Sequence, residues 1–445
     1  MTKPSVPDEV WNASEGIGAG EASDETWDQG WYLEGYRRQA RARFSSANGP
    51  LMLTMEAIGH LETASQALLS DQRVRAVWHE RDLWTWLIRL LAAIHEGRLT
   101  QEELPEQLLR LTRPRPTVVV APIANLVWTG PALRVGEIVI ARMKPSMSKS
   151  IAKQLGAEHA ELSIREQLAK LQNRLGQGCV VVLQTKLQGD RAHDAIERAL
   201  DNLIGLVLLL SPAAGPPSLR GPTNRPGLRG ISLDRKALEL LAAEARSGEL
   251  GHEELFIDGF GARTHYYWHS AEPFDLRSAL DLKTRRSLQP ILNSDDEVAR
   301  RLIVAARWYA AAHWSTGHED AVLALGVALD ALVGSKSGLP GIAMRQRFAL
   351  LDDNAASRPE RSKRFEELYS VRSTIAHGGT SNKIESIGGA RGFMDEVRWA
   401  ASQLLLLSQI APDRAKDLEK FFADLSLGVQ VWPRRSVQYR VVDTD

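Results

Sequence analysis

The sequence predicts an α+β amino-terminal region followed by an all-α bundle of four or five helices. Two observations carry this. Short runs rich in β-branched residues, Thr117–Val120, Ile138–Ala141 and Cys179–Leu183, have the composition of strands. From about residue 294 the apolar residues instead recur at steps of three and four, the period of a helix with one buried face. Together they divide the 445 residues into a flexible tail (1–30), a helical region (31–115), an α+β domain (116–290), the bundle (291–427) and a carboxy-terminal extension (428–445).

The elements follow in order. Residues 1 to about 25 are polar and acidic and carry Gly16, Gly18 and Gly20. No strand is predicted before these glycines, so a phosphate loop does not fit and a tail does. Leu83, Leu87, Leu90 and Leu91 fall at helical spacing beside Trp84 and Trp86. The tryptophans suit a core better than a base-stacking platform. Pro114 and Pro116 end the helical region, because proline cannot continue the ladder. Between the predicted strands, 148–175 has helical periodicity, and a further helix covers 191–210. The stretch 211–230 is rich in proline and glycine and holds Arg220, Arg225 and Arg229. It reads as a loop that either contacts phosphates or is simply exposed.

In the bundle, Ser294–Glu297, Thr316–Glu319 and Ser357–Glu360 have the spacing of capping boxes. Pro359 fits a first turn, where a missing N–H costs little. Three apolar stripes mark helices: Val298, Leu302, Ala305, Tyr309 and Ala312; Val322, Leu325, Leu329 and Leu332; Phe393, Val397, Ala400, Leu404 and Leu407. Pro412 breaks the third, and Leu418, Phe422 and Leu425 begin the last. Short joins make neighbours antiparallel.

Composition excludes several classes. The formal net charge is zero, so the chain is no polycation that finds nucleic acid by bulk charge, and an RNA site has to be a local patch. A single cysteine, Cys179, rules out an internal disulfide framework and fits a reducing, cytoplasmic setting. Its apolar neighbours suit a buried strand position better than a catalytic thiol. The longest apolar run, Leu203–Leu210, is far short of the roughly 20 residues of a bilayer span. The start lacks the apolar stretch of a secretory leader. No membrane association is expected.

The segment carrying chemistry is Phe365–Gly379. Phe365, Leu368, Tyr369, Ile375 and Ala376 form its apolar seam, and Arg372 interrupts it. A permanent charge there points toward the bundle or a groove in it, and arginine is seldom fully buried unless paired. Ser373 and His377 are four apart and share the adjoining face. Gly378 and Gly379 suit a left-handed helix end, which puts His377 in the last turn, where the helix dipole favours a cation. Histidine is the side chain that exchanges protons near neutrality. Spacing alone is not diagnostic, because Arg73/His79 and Arg307/His313 repeat it. From the residues alone, Arg372 also fits an ion pair with an acid of a facing helix, and His377 a polar cap.

Residues 294–425 resemble the HEPN superfamily, in particular the ApeA-like HEPN domains. The likeness lies in Ala328–Gly334 (ALDALVG), Arg347–Leu351 (RFALL) and Leu368–Gly378 (LYSVRSTIAHG). Arg372, Ser373 and His377 match the family's signature of arginine, polar residue, spacer and histidine. Asp330 stands where the family often has glutamate. The resemblance covers about a third of the chain. It implies a metal-independent endoribonuclease that needs no cofactor and works as a homodimer whose two Arg/His pairs line one cleft. It further implies an anti-phage or toxin-type effector, with the amino-terminal region sensing a phage or cellular trigger. In such chemistry His377 moves the proton, Arg372 holds the phosphate oxygens, and Ser373 orients His377 or donates to phosphate.

Two alternatives stay open. The bundle is a non-catalytic module that binds RNA or a nucleotide, or a dimerisation scaffold; or the α+β region is the catalyst. His265 and His269 share one face on a strand or a helix, but no third ligand is near. Arg307 and His313 are read as structural residues that also have the reach to line the cleft.

Overall fold

The computed structural model describes residues 6–15, 17–19, 43–46, 49–53, 55–111, 117–142, 144–155, 179–185, 189–214, 226–228, 274–335, 340–379, 382–429 and 431–433, with isolated positions from 161 to 169. The chain is mostly helical with small sheets. The expected phosphate or metal candidates Arg220, Arg225, Arg229, His265 and His269 lie outside the described residues, as does most of 156–178.

The amino-terminal unit contains α1 (Val6–Glu15), β1 (Ile17–Ala19), β2 (Arg43–Ser46), β3 (Gly49–Leu53), α2 (Met55–Ser70), α3 (Gln72–Val77), α4 (Glu80–His95) and α5 (Leu104–Arg110). Its antiparallel sheet has the order β1-β3-β2. The segment expected to be a tail is therefore partly structured. Val10 and Ala13 of α1 are fully buried in one apolar cluster with Leu61, Leu83, Leu87 and Leu91. The buried Glu9 accepts from His60 Nδ1 at 2.6 Å. Val10 and Ala13, with Val6 and Trp11 packed beside them, seat the short helix, and its acids obscured them. Trp84 is buried, which fits the core reading of the tryptophans.

The next elements are β4 (Thr117–Ala124), β5 (Leu126–Val127), β6 (Leu133–Val135), β7 (Ile138–Arg142), α6 (Ser148–Leu155), β8 (Cys179–Thr185), α7 (Gly189–Leu210) and β9 (Gly227–Leu228). All three predicted strands form. They belong to a five-stranded antiparallel sheet of order β6-β7-β8-β4-β9, with Thr117 opposite Thr185 and Ile123 opposite Cys179. Cys179 is buried, and that burial pushes its thiol pKa up, away from the reactive thiolate.

The bundle comprises β10 (Phe274–Asp275), α8 (Leu276–Ala279), α9 (Leu282–Leu292), α10 (Glu297–His313), α11 (His318–Val333), α12 (Pro340–Leu350), α13 (Arg358–Ala376), α14 (Gly389–Ile410), α15 (Pro412–Ala415) and α16 (Leu418–Ser426). Every residue of the three predicted stripes is buried. The helices are more numerous than the expected four or five, because short pieces flank the long ones. Pro412 opens a new helix after Ala411, as its missing N–H allows.

Capping differs from expectation. The first cap is Asp296, whose carboxylate accepts from Ala299 N at 2.7 Å, while Ser294 Oγ donates to Asp296. An ionised carboxylate two residues nearer the helix outcompetes the hydroxyl. Gly317, not Thr316, is the second N-cap, and Ser357 makes no side-chain cap, because Asn354 caps the preceding 3-10 turn instead.

The apolar core crosses the boundary drawn at 290. One apolar core runs from Ile123 in β4 through α7 and the bundle to Trp432. Leu203, Ile204, Leu206, Val207, Leu208 and Leu209 are all buried, so α7 packs on more than one side. A Cβ at Gly205 would stand 2.6 Å from the carbonyl oxygen of Ala306, so glycine is what lets α7 approach α10 this closely. Trp432, assigned to an extension, packs its ring 5.6 Å from Phe421.

Candidate active site

α13 carries the candidate residues. Its buried side chains are Phe365, Leu368, Val371 and Ile375. Val371 takes the seam position expected of Ala376, which is exposed. This turns the buried face slightly, and leaves Arg372 half-buried at its edge. The helix ends as its sequence predicts. Gly378 has φ +80°, Gly378 N donates to Ile375 O at 3.0 Å, and Gly379 N donates to Thr374 O at 3.0 Å. This pair of bonds is the Schellman arrangement, which satisfies two carbonyls at the end of the helix. His377 is the C-cap residue and is exposed.

Arg372 faces α11. A Cβ at Gly326 would stand 2.5 Å from Arg372 Cγ and 3.1 Å from Nε. The stem of the arginine therefore lies directly on the backbone of α11, where any side chain would displace it. Glycine inside a helix costs about 1 kcal/mol relative to alanine, and here that cost accompanies a defined side-chain position. Among the described residues the Arg372 guanidinium makes no ion pair or hydrogen bond. It does not follow the alternative of pairing with an acid of a facing helix.

Beside Arg372 lies a cleft of about 220 Å³. Its apolar lining comes from Leu329, Met344, Phe365 and Phe393, and Tyr369 and Asp330 add polar atoms. Phe365 and Tyr369 stack at 5.8 Å with 19° between their planes. Asp330 is exposed, and its carboxylate has no hydrogen bond or ion pair among the described residues. The cleft thus holds a guanidinium and a carboxylate that form no ion pair with each other.

The far end of α11 is fixed by two other arginines. Arg301 Nη1 donates to the carbonyls of Ala331, Leu332 and Gly334 at 3.3, 3.2 and 3.0 Å. The buried Arg347 donates to Gly334 O at 2.6 Å and forms a two-pronged pair with Glu419. Guanidinium groups on terminal carbonyls offset the negative end of the helix. Arg301 also pairs with Glu297 at 2.9 Å, and Glu297 accepts from Leu418 N at 3.2 Å. This network holds α10, α11, α12 and α16 in register next to the cleft.

The predicted trio is only partly assembled. Arg372 lines the cleft, whereas Ser373 and His377 do not. Five residues of helix turn His377 by about 140° from Arg372. The Ser373 hydroxyl makes no hydrogen bond with His377; the link between them is His377 N donating to Ser373 O at 3.1 Å. Arg307 is engaged elsewhere, donating to Asn202 at 2.6 Å, and His313 is buried against Trp314 at 4.5 Å. Both are structural. Periodicity did not single out Gly326; a lone glycine within a strong apolar helix pattern was the available signal. Among the described residues no group of three or more His, Cys, Asp and Glu is placed to hold a metal, and no helix is long and apolar enough to cross a membrane.

No family model, no curated protein and no solved structure matches the chain.

Proposed function

We propose that the chain is a metal-independent endoribonuclease of the HEPN type, acting as a homodimeric anti-phage or toxin-like effector. The observation that carries this is the Arg372 guanidinium, held on Gly326 at the edge of a cleft and without an ion pair among the described residues. A charge in that condition is available to a phosphate, which arginine holds bidentately. His377 is solvent-accessible on the same helix, a turn and a half along.

The reaction follows from these groups. The ribose 2′-oxygen attacks the adjacent phosphorus while its proton passes to a base, and the P–O5′ bond breaks as the leaving oxygen takes a proton. The products are a 2′,3′-cyclic phosphate and a 5′-hydroxyl. Proton transfer through His377 contributes about 10²–10⁴-fold, and Arg372 stabilises the charge that builds on the phosphate oxygens. One histidine does not serve both proton steps, and His377 lies off the cleft of its own chain. A second protomer across a two-fold axis supplies the other imidazole.

The absence of Ser373 and His377 from the cleft lining also favours a second reading, a module that binds RNA without cutting it. Purified protein incubated with single-stranded RNA in EDTA separates the two. Cutting that is lost in Arg372→Ala and in His377→Ala, with fold retained, supports the nuclease. Retardation of RNA in a gel with no cutting supports the binding module.

A further inference from the structure

The cleft is smaller than the roughly 300–1,000 Å³ that encloses a drug-sized ligand. At about 220 Å³ it suits one planar ring system rather than a whole nucleotide. Its floor is carbon: Leu329, Met344 and Phe365 are each under 5% exposed. Tyr369, half-buried, offers an aromatic face. Single-stranded RNA is read in this way, with an unstacked base on aromatic and apolar surfaces and its edge bonded to a polar group.

The polar group is Asp330. An ionised carboxylate only accepts hydrogen bonds, and this one has no donor among the described residues. Its place is set by a second glycine. A Cβ at Gly334 would stand 2.7 Å from Asp330 Oδ1, so the carboxylate folds over the end of α11 where a larger residue would exclude it. The two acceptor oxygens of a carboxylate match two adjacent N–H donors. Of the four RNA bases, guanine alone presents such a pair on one edge, N1–H beside the N2 amine. Adenine and cytosine offer one amine next to an acceptor, and uracil offers one N–H between two acceptors.

We infer that this cleft is a guanine-recognition subsite, with Asp330 reading the Watson–Crick edge and Leu329, Met344 and Tyr369 holding the ring. Where the nuclease reading holds, Arg372 grips the phosphate next to that base, and cuts fall beside guanines. The cleavage part rests on that reading; the binding part does not.

The experiment has two arms on the full chain. In the first, GMP, IMP, AMP, CMP and UMP are titrated and binding is followed by calorimetry. GMP is expected to bind about tenfold tighter than IMP, which lacks the N2 amine, and tighter than the other three, a margin in keeping with one bidentate contact. The preference is lost in Asp330→Asn, whose amide presents one donor and one acceptor. Equal binding of GMP and UMP, or an unchanged preference in Asp330→Asn, overturns the inference. In the second arm, the 5′-hydroxyl ends from random single-stranded RNA are mapped. Guanine enrichment at cut sites in the parent that falls in Asp330→Asn supports the subsite, and cutting without base preference overturns it. Should the chain cut no RNA yet bind GMP through Asp330, the nuclease reading fails and the guanine subsite stands.

Discussion

Arg372 lies against Gly326 so closely that a methyl group on the glycine would stand 2.5 Å from its Cγ. The position of the Arg372 guanidinium in the cleft therefore depends on the absence of a side chain on the opposite helix.

Gly326→Ala tests that dependence. Helix propensity favours alanine by about 1 kcal/mol and the contact with Arg372 opposes it, so the urea midpoint is expected to move little. RNA cutting is expected to fall at least tenfold, about 1.4 kcal/mol of transition-state stabilisation. Full activity in Gly326→Ala would show that the glycine does not set the arginine's place. Arg372→Lys is expected to resemble Arg372→Ala, because an ammonium lacks the planar fork that grips two phosphate oxygens.

A composite cleft makes a prediction about mixtures. If each cut uses an imidazole from both protomers, a dimer of one parental and one His377→Ala chain is inactive. Random pairing of equal amounts leaves about a quarter of the dimers fully parental, so the rate is expected to fall to about a quarter of that of the same total of parental chain. A fall only to about half would mean that each protomer works with its own histidine.

Arg347→Ala removes the group that joins Gly334 O to Glu419. It removes one of the two arginines on that carbonyl and the two-pronged partner of Glu419, a loss of roughly 2 kcal/mol, the scale of hydrogen bonds to a charged group. Urea unfolding measures it. A change under about 0.5 kcal/mol would mean that Arg301 alone suffices to hold the end of α11.

Asp281 provides an acid-side signature. The backbone N–H of Thr284, at 2.7 Å, holds its carboxyl pKa below the ordinary value, with Ser211 assisting. A lowered folded value means that the charged form adds stability above the unfolded pKa of about 3.9. That contribution disappears as pH falls through the lower folded value. Asp281→Ala is expected to lose about 1 kcal/mol at pH 7, as for a helix cap, and to be less sensitive as pH falls below about 4. Parallel pH profiles of variant and parent would contradict this.

Much of the bundle was legible because its stripes follow from one period: Val298 to Ala312 and Phe393 to Leu407 each trace a single buried face. The end of α13 was legible for a similar reason, since two consecutive glycines after an apolar turn leave few options. The caps were not, because Ser294 and Asp296 compete for the same N–H groups and pattern does not rank them. Gly326 was hidden because its role is an approach between two helices distant in sequence. The unbroken run from Leu203 to Leu210 did hold a clue. A helix apolar all round has no solvent face, so α7 had to be enclosed by something beyond its own sheet.

Gly205 on Ala306 closes that enclosure, and it bears on how the molecule comes apart. With apolar side chains continuous from β4 to Trp432 among the described residues, a cut between sheet and bundle is expected to pass through shared core and not to release the bundle intact. The sheet and the bundle are expected to melt in one step, and a fragment beginning at residue 291 would bare the flank that α7 covers. α7 packs on α10, and α10 on α11, the helix that brings Gly326 and Asp330 to the cleft, so a change in the strands reaches the cleft wall through two helix contacts.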